Sequence, residues 1–447
     1  MKNKEKNKRF IKLFFAEVLM FLILVIYHFV WTGYYNKIIE SPFWRRGNWM
    51  MVFLYGMLLY FFMKMYGGFK VGYLRKSNLI YSQILSVFLT NLFTYFQISV
   101  LDKHFISPWP LLLMMVVDSL VIVFWTLFFH KVYLCLFPPR RMLLVSGNRS
   151  DYHLMEKMNT REDKYEIRDS MDYRNEFESF KERVQYYDGV IIGDMPSHER
   201  NRLLKYCFDK NIRTYSVPKI SDILLRSSNE LTLFDSPLLL SRNDGLTIEQ
   251  LFIKRLMDII FSMIGLVISS PIFIIVTVMI KLTDSGPAFY KQKRMTIDGR
   301  EFEIYKFRTM IQNAEKMSGP QLARDQDERI LPVGRFLRRF RLDELPQLIN
   351  VIKGDMSLVG PRPERPELAT EIVKTIPEFS YRLKVKAGLT GYAQIYGKYN
   401  TTSYDKLKLD LTYIRNFSVW LDIKLILMTP KIMMMKESSE GIIENKH

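Results

Sequence analysis

The chain has 447 residues, 48% of them hydrophobic, and a formal net charge of +18. Its two cysteines, Cys135 and Cys207, indicate neither a disulfide framework nor a cysteine metal site. The length predicts two or three domains, and the apolar residues occur in long blocks, which indicates a membrane protein. The positive charge favours phosphate chemistry or anionic lipid over nucleic acid, because no nucleic-acid module is recognisable and the basic residues lie beside the apolar blocks.

The first 139 residues predict a membrane-embedded helical bundle. Four apolar runs have the length of a membrane-spanning helix, at residues 13–31, 49–66, 79–101 and 111–136. No small-residue cleavage site follows the first run, so we expect it to be a retained anchor rather than a signal peptide. Basic residues crowd the N-terminus: Lys2, Lys4, Lys6, Lys8, Arg9 and Lys12. Positive charge favours the cytoplasmic side, and four spans then leave both ends of this region inside.

Residues 140–245 have the pattern of a soluble α/β domain. Strands are predicted at 142–145, 189–192 and 212–217, and helices at 151–159 and 197–210. Alternating strands and helices predict a parallel, Rossmann-like sheet. The turn after the first strand lacks the Gly-x-Gly-x-x-Gly pattern that lets a pyrophosphate approach the backbone. We therefore expect a degenerate nucleotide-binding-type domain with a regulatory or assembly role.

The last part of the chain, 246–447, opens with another apolar segment at about 254–282, interrupted by Ser270-Pro271. One interpretation is a fifth span with a proline kink. The other is a helix that enters the bilayer, breaks at Ser270-Pro271 and returns, since proline removes a backbone donor and serine can accommodate the freed groups. The basic flanks favour the re-entrant helix, because a span would place one of them outside. They comprise Lys254, Arg255, Lys281, Lys291, Lys293 and Arg294.

Residues 335–365 hold the densest charge in the chain. Four arginines lead to the adjacent carboxylates Asp343 and Glu344: Arg335, Arg338, Arg339 and Arg341. A loop rich in Gly and Pro follows, with Arg362 and Arg365. Arginines can hold phosphate oxygens, and a carboxylate can attack phosphorus or hold a divalent metal ion. On spacing alone, a solvated helix face with ion pairs explains the same pattern.

The string at 343–364, DELPQLINVIKGDMSLVGPRPE, resembles the signature of the bacterial polyprenyl-phosphate sugar-1-phosphate transferases. These monotopic phosphoglycosyl transferases begin exopolysaccharide, capsule or O-antigen assembly. The strings at 302–310, FEIYKFRTM, and 385–398, VKAGLTGYAQIYGK, resemble further motifs of the family. Larger members carry four helices and a middle α/β domain before the catalytic part. The resemblance therefore implies a membrane α-helical bundle, a Rossmann-like α/β domain and a mixed α/β monotopic catalytic domain with a re-entrant helix.

Four positions depart from the family pattern. Thr296 stands where members usually have Gly, so we expect a turn of different shape there. Lys386-Ala387 replaces Arg-Pro, and Tyr392 replaces Trp.

The resemblance implies an enzyme that transfers a sugar-1-phosphate from a UDP-sugar to undecaprenyl phosphate and releases UMP. Asp343 is expected to form a covalent phosphosugar intermediate with the help of Glu344, and both carboxylates are expected near Mg²⁺. Arg362 is the expected phosphate clamp. The further candidates for phosphate binding are Lys306, Arg308, Arg338 and Arg341.

The expected setting is the bacterial inner membrane, with a multi-pass chain and the catalytic domain on the cytoplasmic face. The expected partners are the UDP-sugar, undecaprenyl phosphate and the bilayer, and no nucleic acid is expected. The sequence leaves open whether the protein forms a homodimer. Two alternatives remain: a membrane scaffold with an inactive transferase module, and a glycosyltransferase that releases UDP. The intact carboxylate pair and the Gly-Pro-Arg-Pro string favour the phosphoglycosyl transferase. The sequence does not indicate which sugar is transferred.

Overall fold

The computed structural model describes residues 2–147, 150–233, 235–241, 245–311, 327, 329–398 and 401–433. Contacts divide the chain into two compact units, Met1–Val217 and Pro218–His447. The first unit holds long apolar helices and a parallel sheet. The second holds a mixed α/β fold and one further long apolar helix.

The N-terminal helices of the first unit confirm the four predicted apolar helices. They are α1, Lys2–Val30, which continues through a π-helical turn at Trp31–Tyr35, then α2, Arg46–Tyr66, α3, Lys76–Leu101, and α4, Trp109–Leu136. Each is long and apolar enough to cross a membrane. Polar side chains of α3 lie inside the bundle, where the Gln83 amide accepts a hydrogen bond from Thr126 (2.9 Å) and donates one to the Gly68 carbonyl (3.0 Å).

A parallel four-stranded sheet follows, with the strand order β2-β1-β3-β4. Its strands are β1, Arg140–Ser146, β2, Tyr165–Asp172, β3, Gly189–Ile192, and β4, Arg213–Ser216. The helices between them are α5, Ser150–Asn159, α6, Phe177–Val184, and α7, Ser197–Asp209. The parallel sheet was predicted, but β2 and α6 were missed. The edge strand β2 buries only Ile167 and Met171, so polar residues hide its hydrophobic pattern.

The carboxyl ends of β1 and β3 are joined by one buried carboxylate. Asp151, in the first turn of α5, accepts hydrogen bonds from the backbone N–H groups of Gly147 (2.8 Å) and Asp194 (3.0 Å). A Cβ at position 193 would collide with this carboxylate, which explains why Gly193 stands there. In an open parallel sheet, ligands usually bind beyond the carboxyl ends of two adjacent strands, at the point where the strand order reverses. Here an internal anion lies between these two strand ends.

The second unit is built around two small sheets and short helices. The first elements are α8, Ile220–Arg226, the antiparallel pair β5, Asn229–Leu233, and β6, Ser236–Leu240, and the long helix α9, Ile248–Thr283. A second antiparallel pair follows, β7, Phe289–Met295, and β8, Glu301–Phe307. The β5–β6 hairpin was not predicted, because its residues are largely exposed and give no buried pattern.

Around the charged segment the elements are short. They are α10, Pro332–Arg339, a 3₁₀ turn, Leu342–Glu344, α11, Gln347–Lys353, β9, Ser357–Val359, α12, Pro366–Thr375, and a 3₁₀ helix, Pro377–Lys384. Then come β10, Gly388–Thr390, α13, Tyr392–Tyr396, α14, Ser403–Arg415, and α15, Val419–Met433. Strand β10 pairs in parallel with β9, and a core around Val351, Met356 and Leu425 packs beneath them.

Helix α9 contains Ser270-Pro271, the pair at which the sequence predicts a break. Helical structure continues through this point, so the chain does not leave the helix there. Pro271 cannot donate to the carbonyl one turn before it, that of Val267. The Ser270 hydroxyl donates to this carbonyl instead (2.8 Å), which satisfies the freed acceptor. The re-entrant course of α9 stays a prediction.

Candidate active site

A tight turn presents the two adjacent carboxylates. Helix α10 ends at Arg339, and Arg341 adopts a left-handed conformation with φ of 51°. The 3₁₀ turn that follows carries Asp343 and Glu344, and the Glu344 N–H donates to the Arg341 carbonyl (3.2 Å). The turn therefore ends the basic helix and directs the chain into α11.

Glu344 binds two cationic side chains from distant parts of the unit. Arg362 Nη2 lies 2.5 Å from Oε1, and Nη1 lies 3.5 Å from Oε2. Lys306 Nζ, on β8, lies 3.5 Å from Oε1. The Glu344 side chain is only 12% exposed. These partners come from other elements, not from the next turn of one helix, so the arrangement differs from a solvated helix face.

The two carboxyl groups differ in their electrostatics. Burial alone would raise the pKa of Glu344, but the Arg362 guanidinium and the Lys306 ammonium outweigh it and hold this pKa far below its usual range. Burial and the neighbouring Glu344 charge raise the pKa of Asp343 to about 6. Within the part of the chain that the structure describes, no group donates a hydrogen bond to the Asp343 carboxylate. The Glu344 carboxylate is thus neutralised by cationic side chains, whereas the Asp343 carboxylate accepts no hydrogen bond from the described residues.

The loop that carries Arg362 is held by a buried arginine that sequence reasoning missed. Arg382 Nη2 donates to the Arg362 carbonyl (2.8 Å) and lies 2.8 Å from Asp410 Oδ2. Arg382 Nη1 lies 3.4 Å from Glu364 Oε1. Arg382 and Asp410 are 5% and 1% exposed, respectively. Because they lie 28 positions apart on separate elements, no local pattern pairs them.

The other predicted phosphate-binding residues divide into two groups. Arg338, which donates to the Thr309 hydroxyl (2.9 Å), is close enough for its charge to oppose the raised pKa of Asp343. Arg341 likewise contributes to the low pKa of Glu344. Arg308 does not join them, because its Nη2 lies 3.3 Å from the Asp284 carboxylate, just after α9.

The alternation of Lys306 and Arg308 in the sequence predicts a strand that presents both charges on one side. In the structure the two side chains have different partners, since Lys306 contacts Glu344 and Arg308 contacts Asp284. The Arg308 N–H donates to the Ala288 carbonyl (2.8 Å), next to the end of the β7–β8 pair.

Thr296, which departs from the family pattern, is an integrated part of the loop. It is 2% exposed and has an extended backbone, so its position does not require glycine. Its hydroxyl donates to the Asp355 carbonyl (2.9 Å) and accepts from the Ala387 N–H (3.2 Å). A proline at position 387 would have no N–H to donate. The two departures thus contact each other directly.

Comparison with known proteins places this site in a family. The model of the bacterial sugar transferase family matches residues 249–436, which include the carboxylate pair, Lys306 and Arg362. A Bacillus subtilis protein with the name "Putative undecaprenyl-phosphate N-acetylgalactosaminyl 1-phosphate transferase" is 49% identical over 137 residues, which are 31% of this chain and 76% of that protein. The chain belongs to the bacterial sugar transferase family.

Longer relatives in this family match over a wider range. A UDP-N-acetylgalactosamine-undecaprenyl-phosphate N-acetylgalactosaminephosphotransferase from Aeromonas hydrophila is 37% identical over 257 residues, 54% of this chain and 58% of the relative. A UDP-glucose:undecaprenyl-phosphate glucose-1-phosphate transferase from Klebsiella pneumoniae is 35% identical over 249 residues, 54% of this chain and 51% of the relative. The chain spans about half the length of these two proteins.

The predicted Mg²⁺ can be tested against the side chains present. Among the described residues, no group of three or more His, Cys, Asp or Glu side chains could hold a metal ion. Glu344 already contacts Arg362 and Lys306, whereas Asp343 has open oxygens. Magnesium is commonly held by one or two carboxylates together with substrate phosphates and water. The Asp343 carboxylate, with Glu344 beside it, would fit a magnesium ion held in this shared way, and the ion itself stays a prediction.

Proposed function

We propose that this chain transfers a sugar-1-phosphate from a UDP-sugar to undecaprenyl phosphate, the first membrane step of exopolysaccharide, capsule or O-antigen synthesis. The observation that carries the proposal is the unequal carboxylate pair, an open Asp343 beside a Glu344 neutralised by Arg362 and Lys306. The names of the Aeromonas and Klebsiella relatives, which combine a UDP-sugar with undecaprenyl phosphate, support this choice of substrates.

The reaction proceeds in two displacements at phosphorus. An Asp343 carboxylate oxygen attacks the β-phosphorus of the UDP-sugar, a P–O bond forms, and the bond to the bridging oxygen breaks, so that UMP leaves with that oxygen. A phosphate oxygen of undecaprenyl phosphate then attacks the same phosphorus. The aspartyl P–O bond breaks, which regenerates the Asp343 carboxylate and leaves undecaprenyl-diphosphate-sugar. A soluble donor and a lipid acceptor thus use one site in turn.

The residues around Asp343 have separate roles in this scheme. Glu344 fixes the direction of the Arg362 fork, whose remaining N–H groups are available for the donor phosphates. Lys306 adds a second positive charge to the same side. Arg338 and Arg341 extend the positive field. Bound Mg²⁺, held by Asp343 and Glu344 with the diphosphate, would reduce the repulsion between the carboxylate and the phosphates.

We also propose that α9 is re-entrant and that the second unit lies on the cytoplasmic face of the bacterial inner membrane. The most exposed apolar side chains of α9 near its proline include Val267 and Ile268, which are 74% and 72% exposed. Both halves of the helix pack on the same unit, the first through Leu266 against the core of α11 and the second through Ile280 beside Phe307. A dip into the bilayer would cover the exposed middle while both ends stay at one surface.

Site-directed labelling tests this topology. Single cysteines at Ile248 and Leu282, which are 83% and 82% exposed, are introduced into a chain whose Cys135 and Cys207 are replaced by serine. A membrane-impermeant maleimide should label both positions in inside-out vesicles and neither in intact spheroplasts. Labelling of one position from each side would instead establish a fifth span.

Nucleotide release tests the reaction. The purified chain is supplied in turn with UDP-glucose, UDP-galactose or UDP-N-acetylgalactosamine, together with Mg²⁺ and undecaprenyl phosphate. UMP should appear with at least one donor and disappear in Asp343→Ala, while Glu367→Gln, which changes an exposed carboxylate of α12, should keep full activity. Release of UDP would favour sugar transfer without phosphate. Release of neither nucleotide would favour a membrane scaffold.

A further inference from the structure

A buried lysine near the start of α9 binds the strand that leads into the active-site loop. Lys254 is 6% exposed, and its Nζ donates to the Val359 carbonyl (2.9 Å), the Tyr413 hydroxyl (3.0 Å) and Asp422 Oδ2 (2.5 Å). An ammonium group has three N–H donors, and all three have acceptors here. The Tyr413 hydroxyl donates in turn to Asp422 Oδ1 (2.8 Å). The cluster is complete and closed to solvent.

The neighbouring residues of α9 hold the same region. Asp258, one turn further along the helix, accepts from the Ser357 hydroxyl (3.0 Å) and the Leu358 N–H (2.9 Å). Arg255 donates to the Val351 and Ile352 carbonyls (2.6 and 2.7 Å), at the end of the helix that follows the carboxylate pair. The first turns of α9 thus hold strand β9 along its length and close the C-terminus of α11.

The bonded carbonyl lies three residues before the phosphate clamp. Val359 ends β9, and the chain then passes through Gly360 and Pro361 to Arg362, which binds Glu344. A shift of β9 along its axis would move Arg362 relative to both carboxylates. Pairing with β10 fixes one edge of this short strand, and the Lys254 ammonium fixes the carbonyl at its end.

Stability alone does not explain this arrangement. A buried ion pair contributes little net stability compared with well-packed apolar side chains, because both charges lose their hydration. A hydrophobic residue would also suit an apolar helix better. The specific property of the lysine is that it binds one backbone carbonyl and two side chains at fixed positions.

We propose that Lys254, oriented by Asp422 and Tyr413, is a positioning residue that sets the placement of Arg362 against the carboxylate pair. The proposal rests on the proposed transferase function for its kinetic consequences. It also changes the interpretation of the basic flank of α9. Lys254 is buried and bonded inside the second unit, whereas Lys281, near the other end of α9, is exposed.

This difference supplies a matched control. Lys254→Met and Lys281→Met each remove one charge from one flank of the same helix. If the lysines served only membrane orientation, both changes would have similar effects. We expect Lys254→Met to lower kcat/KM for the UDP-sugar by on the order of 10- to 100-fold, since a displacement of about 1 Å can reduce turnover 100-fold. Lys281→Met should stay within about twofold of the parent.

A double-variant test separates positioning from general damage. If Lys254 acts through Arg362, Lys254→Met should cause no further loss in an Arg362→Ala background. An equal loss in both backgrounds would overturn the proposal. Tyr413→Phe, which keeps the ring and removes one acceptor of the ammonium, should give a smaller loss in the same direction. It provides a second reading if Lys254→Met does not fold.

Hydrogen exchange provides a readout that does not depend on catalysis. The Gly360 N–H donates to the Thr390 carbonyl (2.9 Å), and loss of the Lys254 anchor should accelerate exchange in residues 357–360. Lys281→Met should leave this segment unchanged. Unchanged exchange in Lys254→Met would overturn the positioning role. If exchange changes as expected but no donor yields UMP, the positioning role stands and the transferase function fails.

Discussion

Arg362 and Glu344 form a bidentate ion pair, with Nη2–Oε1 and Nη1–Oε2 separations of 2.5 and 3.5 Å. The pair joins the loop after β9 to the turn before α11. The pair also affects the neighbouring residue, because Glu344 is bound to two cationic side chains whereas the Asp343 carboxylate has no hydrogen-bond donor among the described residues. The site therefore distinguishes two adjacent carboxylates by their neighbours.

Arg362→Lys should impair the enzyme although it keeps the positive charge. An ammonium is a point charge and cannot bind both Glu344 oxygens while presenting a second N–H edge to phosphate. We expect kcat/KM to fall by on the order of 10- to 100-fold, the effect of one or two charge-assisted hydrogen bonds. Arg335→Lys, an exposed position on α10, is the control and should behave like the parent. Equal activity of both variants would contradict the clamp.

The rate of UMP formation should depend on the protonation of Asp343. Its pKa is raised to about 6, so the reactive carboxylate form is gained as the pH rises through that value. We expect kcat/KM to increase with pH up to a plateau. Glu344→Gln removes a negative charge that raises this pKa and should move the acid limb to lower pH. Lys306→Met removes a charge that lowers it and should move the limb to higher pH. Identical limbs in the three proteins would exclude Asp343 as the titrating group.

Thr296→Val should destabilise the second unit, because it leaves the partly buried Asp355 carbonyl and the buried Ala387 N–H without their shared partner. We expect the free energy of unfolding to fall by about 1–3 kcal/mol. Thr370→Val, at an exposed hydroxyl of α12, is the control and should have little effect. Ala387→Pro removes the same N–H, so its effect should be smaller in the Thr296→Val background than in the parent. Strict additivity would show that the two positions are not coupled.

Asp151→Ala should loosen the parallel sheet of the first unit, because two backbone N–H groups lose a charged acceptor. We expect the local free energy of unfolding to fall by about 1.5–3 kcal/mol. Cys207, which is buried in the sheet core, reports this opening through a fluorogenic maleimide once Cys135 is replaced by serine. Added formate should restore part of the protection in the variant.

Two comparisons make this test specific. Asp172→Ala, which removes an exposed carboxylate at the end of β2, should leave Cys207 protected. Dinucleotides should not stabilise the parent chain, since the Asp151 carboxylate already occupies the junction of β1 and β3 and the predicted domain is degenerate. Strong protection of the parent by NAD⁺ would contradict this prediction.

Local patterns predicted the elements whose residues are uniformly buried or uniformly apolar. Strands β1 and β3 are short apolar runs, and the membrane-length helices of the first unit are long apolar runs, so hydrophobicity and length together identify them. Strand β2 carries polar residues at the sheet edge, and the β5–β6 hairpin is exposed, so neither gives such a signal. A contiguous motif located Asp343, Glu344 and Arg362.

The partners of these residues were beyond prediction, because they come from distant segments. Lys254 meets Val359 and Asp422 across 105 and 168 positions, and Arg382 meets Asp410 across 28. Such contacts depend on how helices and strands pack together, and the hydrophobic periodicity of the sequence does not predict this packing. The separate partners of Lys306 and Arg308 were not predicted for a related reason, since Glu344 and Asp284 lie 38 and 24 positions away from them.

The attachment of α9 to β9 has a consequence for lipid dependence if α9 enters the bilayer as proposed. Lys254 and Asp258 bind the apolar helix to the strand that carries the clamp loop. A membrane helix whose hydrophobic length does not match the surrounding lipid can respond by tilting. Because the first turns of α9 are bonded to β9, we expect such a tilt to move Arg362, so that acyl-chain length would change the geometry of phosphate binding.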